Sequence, residues 1–147
     1  MLKKTLFIIV LFLLNGYSGF TQHVYTIGPT VHVNFGYKIS MSYGFEFSYW
    51  NIKNFPFGFN LGLEKEKTAF RIYSETQTAF EFGGISLGPY LQYKEAVTSG
   101  LQSSIWGNYL PGINLRVREG KDTKVFSPGI YTKFLLSPSL KYSDRLK

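Results

Sequence analysis

The chain has 147 residues, enough for one domain, with 17% charged and 18% aromatic residues and a formal net charge of +7. A charged fraction below the ~25% usual for soluble domains, together with 15 Gly, 14 Phe and 11 Tyr, favours strands and turns over helices. There is no cysteine, which excludes disulfides, thiolate metal sites, a cysteine nucleophile and a lipid anchor attached through cysteine.

The N-terminus carries Lys3 and Lys4, then an unbroken apolar run over 6–14 (LFIIVLFLL), then small residues Gly19 and Thr21 at the −3 and −1 positions before Gln22. A spanning helix needs ~20 apolar residues, so this run is too short to cross a bilayer and reads as an export signal. The expected organisation is a signal peptide over 1–21, a β-domain over 22–136 and a polar tail over 137–147. Losing Lys3 and Lys4 lowers the net charge from +7 to +5. The remaining basic residues are dispersed along the chain with no phosphate-tracking run, so no nucleic-acid partner is expected.

From Gln22 onward, Gly, Pro and β-branched or aromatic residues interrupt every window long enough for a helix. A first strand is expected near 24–33, with Asn34 and Gly36 as turn formers. The clearest stretch follows at 35–49 (FGYKISMSYGFEFSY). Its odd positions are all large and apolar or aromatic, and its even positions are small or polar. Side chains of a strand alternate between faces, so this predicts a strand with one greasy and one polar face. Residues 55–64 repeat the pattern, and 64–67 (EKEK) read as a solvated tip. A fourth strand is expected at 69–77 and a fifth at 81–94. The apolar phase switches from even to odd at Gly83 and Gly84, which predicts a bulge. Residues 98–100 read as a turn, 101–117 as two strands divided near Gly107, 119–123 (EGKDT) as a hairpin turn, and 124–136 as an eighth strand.

Eight alternating strands with short connections predict an all-β, up-and-down antiparallel barrel, because a flat sheet of that size would expose two long edges. Alternation leaves open which face points out. A membrane barrel is greasy outside; a soluble exported lipocalin-like barrel binding an apolar ligand is greasy inside. Three features favour the membrane form. The polar face is rich in Gly, Ser, Asn and Gln, where a solvated exterior would carry dense Lys and Glu. The aromatics of the second and third strands overfill a small interior. Finally, Tyr49, Trp50 and Phe55 cluster at strand ends, where an interface girdle would lie.

With that pattern the chain resembles the small eight-stranded outer-membrane β-barrels of Gram-negative bacteria. The resemblance implies outer-membrane location, lipid as partner and a non-enzymatic structural or surface-interaction role, with protein partners left open. Phe35, Tyr37, Ile39, Met41, Tyr43, Phe45, Phe47, Tyr49, Phe57, Phe59 and Leu61 are then the lipid-facing row. Lys38, Glu46, Arg71, Glu75, Lys94, Arg116, Arg118 and Lys133 are expected inside as a charge network, since eight strands leave room only for side chains. No catalytic centre, metal site or cofactor is expected. The two histidines, His23 and His32, have opposite parity, and no local motif singles out a serine for the competing reading, an outer-membrane lipid hydrolase.

Overall fold

The computed structural model describes residues 23–52, 55–107, 111–121 and 123–136; the expected export signal and polar tail, and residues 53, 54, 108–110 and 122, lie outside them. The strands are β1 His23–Phe35, β2 Ile39–Asn51, β3 Phe57–Glu66, β4 Phe70–Phe80, β5 Gly83–Tyr93, β6 Val97–Gly107, β7 Gly112–Gly120, β8 Thr123–Tyr131 and a short β9 Phe134–Leu135. β1 to β8 each pair antiparallel with their sequence neighbours, and β1 closes the sheet by pairing with β2 on one side and with β8 and β9 on the other. The result is the up-and-down barrel expected from the alternation. Among the described residues every strand except the short β9 is paired on both sides.

β9 continues β8 in one register, since Thr30 faces Tyr131 and Ile27 faces Phe134. The ladder breaks between them at Pro29, whose carbonyl accepts from the Thr132 N–H (3.1 Å) but which has no N–H to return.

The outward row changes parity along the chain, and turn length explains every change. Partners across an antiparallel pair share a face, so an even separation at the turn keeps the parity and an odd one reverses it. Phe35 pairs with Ile39, Asn51 with Phe57, Tyr93 with Val97 and Gly107 with Ile113, all even separations. Lys65 pairs with Phe70, Phe80 with Gly83 and Gly120 with Thr123, all odd.

Four sequence expectations change on this basis. Residues 35–49 are not one strand, because a turn at Gly36, Tyr37 and Lys38 divides them without disturbing the alternation. Gly83 and Gly84 form no bulge; the phase switches there because a turn at Glu81 and Phe82 reverses the chain. Residues 98–100 lie within β6, and the turn sits at 94–96. Finally, β3 runs through the EKEK segment as far as Glu66, so this is not a solvated tip.

The polar face points inward and the apolar face outward. Phe45, Leu61, Ile105 and Ile130 are exposed on the outside, while Ser42, Ser48, Gln102, Arg116 and Ser127 are buried inside. An apolar interior of the lipocalin kind is therefore ruled out. Large inward rings are seated over glycines of the adjacent strand. Tyr73 faces Gly62, and a Cβ at 62 would come within 2.0 Å of the Tyr73 Cζ. Trp106 likewise covers Gly84 and Tyr90 covers Gly100. Gly100 thus serves ring packing, which is why a glycine there does not mark a turn.

Candidate functional site

Each strand sends alternate residues into the lumen, and these supply the chemistry. Glu64 on β3 is the hub. Its carboxylate is 1% exposed and meets Arg71 Nη1 at 3.2 Å, Arg116 Nη1 at 3.1 Å and Arg118 Nη2 at 3.2 Å. It also accepts from the Ser42 hydroxyl. Arg116, fully buried, links this hub to a second carboxylate, Glu46, at 3.4 Å. The Tyr73 hydroxyl donates to Glu46 (2.9 Å), and the Arg116 guanidinium stacks over the Tyr73 ring, 4.5 Å from its centroid.

Glu46 has a third partner in Lys133, whose Nζ lies 2.7 Å away and also donates to Ser48 at 2.7 Å. On the neighbouring strands Glu46 faces Gly28 and Gly62, so no side chain intervenes between it and Lys133 or Tyr73. Arg118 completes the cluster on the opposite side, donating to Asn34 Oδ1 (2.9 Å) and Ser127 Oγ (3.0 Å). Arg71 also pairs with Glu66 at 3.1 Å and donates to Gln92. Away from this cluster, Glu75 accepts from Gln102 (2.9 Å) and Ser104 (3.1 Å).

Six of the eight residues expected inside, Glu46, Arg71, Glu75, Arg116, Arg118 and Lys133, are therefore in the lumen. Lys38 and Lys94 are not: they sit in the 36–38 and 94–96 turns and are exposed. Glu64 and Glu66 were not expected there, although Glu64 shares the inward parity of Asn60 and Gly62. With them included, four cations (Arg71, Arg116, Arg118, Lys133) face four carboxylates (Glu46, Glu64, Glu66, Glu75), a neutral balance that a dry interior requires.

His32 is also fully buried, with neither ring nitrogen hydrogen-bonded among the described residues. His23 lies outside, bonded through Nδ1 to the Tyr49 hydroxyl (2.8 Å).

The expected outward row lies on the outer face from Phe35 to Leu61, except that Tyr37 stands fully exposed in a turn. Trp50 is not part of an outer girdle. Its even parity turns it inward, where it meets Trp106 edge to face across that end of the lumen with centroids 5.6 Å apart. Tyr49 does face outward and packs on Tyr25 (5.3 Å) and His23 (5.8 Å). Phe55 is exposed beside it in the β2–β3 connection.

At the opposite end the lumen opens into a cavity of about 860 Å³, floored by Arg71, Tyr90 and Arg118 and rimmed by Lys38, Lys67, Lys94 and Glu95. Among the described residues no group of three His, Cys, Asp or Glu side chains could hold a metal ion.

No protein-family model matches the chain, and no curated protein matches it either. Among solved structures, a de novo designed transmembrane β-barrel matches with a TM-score of 0.50 at 10% identity, over 78% of this chain and 100% of the designed one. Ail, the attachment invasion locus protein of Yersinia pestis, matches with a TM-score of 0.42 at 11% identity, over 78% of this chain and 98% of Ail. At these identities the likeness is one of fold, and the fold this chain shares with the designed protein is the closed antiparallel β-barrel.

Proposed function

We propose that the protein is an integral β-barrel of the bacterial outer membrane, non-enzymatic, with a structural or surface-interaction role and a lumen plugged by its own charged side chains. One observation carries this reading: the barrel is inverted relative to a soluble protein, with its ionic groups buried and its Phe, Leu, Ile and Val exposed all around the outside. Water would not tolerate an apolar surface of that extent, whereas lipid requires it. The dimensions agree. At ~3.3 Å per residue and a tilt of ~40°, the outward row from Tyr25 to Phe35 rises roughly 25 Å, the height of the apolar band in such barrels.

Two threonine hydroxyls on β4 are also satisfied internally, as hydrocarbon favours. Thr76 donates to the Leu87 carbonyl (3.1 Å) and Thr78 to that of Pro56 (2.9 Å). The N-terminal export pattern supports delivery to the envelope. The non-enzymatic part rests on the lumen carboxylates Glu46 and Glu64 being committed to cations, which leaves neither free for acid–base work.

Fractionation tests the location: the protein should stay with envelopes until detergent is added and should show heat-modifiable mobility on gels. Release by salt or alkali alone would sink the reading. Phe45→Arg, at an outward position between the strand ends, should cost ~2–4 kcal/mol of barrel stability in bilayers. In planar bilayers the wild-type barrel should show no large, stable conductance.

A further inference from the structure

The open mouth is built unlike the rest of the lumen. In the ion-pair cluster below it every carboxylate and cation is matched. At the mouth the balance fails. Glu66 is engaged by Arg71 and by the Ser40 hydroxyl, which leaves Glu95 as the one uncommitted acid among the described lining residues. Facing it are Lys38, Lys67 and Lys94, none of them in an ion pair with a described residue. Arg118 lines the floor. Although it is 2% exposed, its Nε and Nη1 have no hydrogen-bond partner. The three lysines come from three different turns, so their ammonium groups approach the cavity from separate sides.

We propose that this mouth is a binding site for a phosphate-bearing anion. A phosphate group offers several acceptor oxygens and up to two negative charges, which suits point-charge lysines on the rim above a guanidinium floor. A volume of about 860 Å³ is that of a small-molecule site. Low-dielectric walls concentrate the field of the rim inward. The phosphate could belong to a soluble metabolite or to a lipid headgroup folded over the rim; the recognition chemistry is shared. The site does not depend on the proposed outer-membrane location, only on the barrel staying folded.

The test uses the full-length barrel in an uncharged maltoside detergent at low ionic strength, titrated calorimetrically with inorganic pyrophosphate. Saturable binding is expected, weakening as salt rises. The double variant Lys67→Ala/Lys94→Ala should lose roughly tenfold or more in affinity, as expected for removing charge-assisted contacts. Lys65→Ala/Lys124→Ala removes the same charge from outward-facing positions on β3 and β8 and should leave affinity nearly unchanged. Heat-modifiable mobility verifies that both variants are folded. No saturable binding, or equal weakening by the two double variants, overturns the site. Repeating the titration in nanodiscs assigns the source. Weaker pyrophosphate binding with phosphatidic acid than with a phosphate-free sulfolipid of the same surface charge means that a phosphate headgroup competes for the site. Equal binding in both means a soluble phosphate fills it.

Discussion

The two ends of the barrel obey the same alternation and fill the lumen in opposite ways. At the end holding the β1–β2 turn, the interior is ionic and open, and the turns carry Lys38, Lys67, Lys94 and Lys121. At the other end Trp50 and Trp106 meet edge to face inside the lumen, and the connections carry Ile52, Phe55 and Phe82, all exposed. An inward-facing position thus fixes only that a side chain must be accommodated, and two kinds of packing satisfy it. Matched charges hold one end. Trp50 over Gly58, Trp106 over Gly84 and Tyr131 over Gly112 hold the other, while the ionic end has one seated ring of its own, Tyr90 over Gly100. Lysine turns suit water, and aromatic turns suit the headgroup layer, so the contrast also gives the molecule a polarity along its axis.

The largest expected effect comes from the ionic end. Glu64→Gln leaves Arg71, Arg116 and Arg118 without their shared carboxylate. Breaking one side of a buried ion pair costs about 3–5 kcal/mol, far more than the pair is worth relative to an apolar filler. Denaturant unfolding in detergent should show this loss. Adding Arg118→Gln should cost less than the two separate changes sum to, because the residues share one network. Full additivity would mean that Glu64 is no hub.

At the aromatic end Trp106→Ala should cost about 3 kcal/mol, the low end for removing a large buried ring. Its second readout sharpens the contrast: with that end opened, the barrel should still not conduct, because the ion pairs above it are untouched. Appearance of stable single-channel currents would show that the tryptophans, and not the charges, form the plug.

Gly62→Ala tests where the two packing modes meet. Its Cβ would press into the Tyr73 ring, which cannot retreat while its hydroxyl holds Glu46 and its face carries Arg116. Overpacking of this kind costs ~1–3 kcal/mol. Tyr73→Phe releases the ring from Glu46 and removes one of the crowded atoms, so Gly62→Ala should cost less in the Tyr73→Phe background than alone.

The barrel itself was legible in the alternation, and so was the assignment of Arg116, Glu46 and Phe45 to opposite faces. Two kinds of information were not. Parity does not reveal an odd-length turn, so the reversal at Gly36, Tyr37 and Lys38 is invisible inside a run of unbroken phase, and parity alone puts Lys38 in the lumen. Conversely, the even-length turn at Glu81 and Phe82 produces a phase switch, the same signal that a bulge gives. Glu64 had the correct inward parity but sat in a run of alternating charge that read as solvent-exposed. Height along the axis was the second gap. Arg116 and Glu46 are 70 residues apart and meet only because successive register offsets bring them to one level. No local pattern encodes that sum.

The smallest expected effect bears on the axial polarity. Phe82 is 71% exposed in its turn, so Phe82→Lys should shift stability in detergent by no more than about 0.5 kcal/mol. In bilayers it places a charge where an aromatic turn meets the headgroups. The sequence contains 2 Trp, Trp50 and Trp106, and both sit at this end, so intrinsic fluorescence reports on it alone. Quenching by lipids brominated near the headgroup should fall slightly in Phe82→Lys and stay unchanged in Lys67→Ala at the far end. If both variants shift it equally, or neither does, the aromatic turns do not set how deep this end sits, and the difference between the two ends is one of lumen packing only.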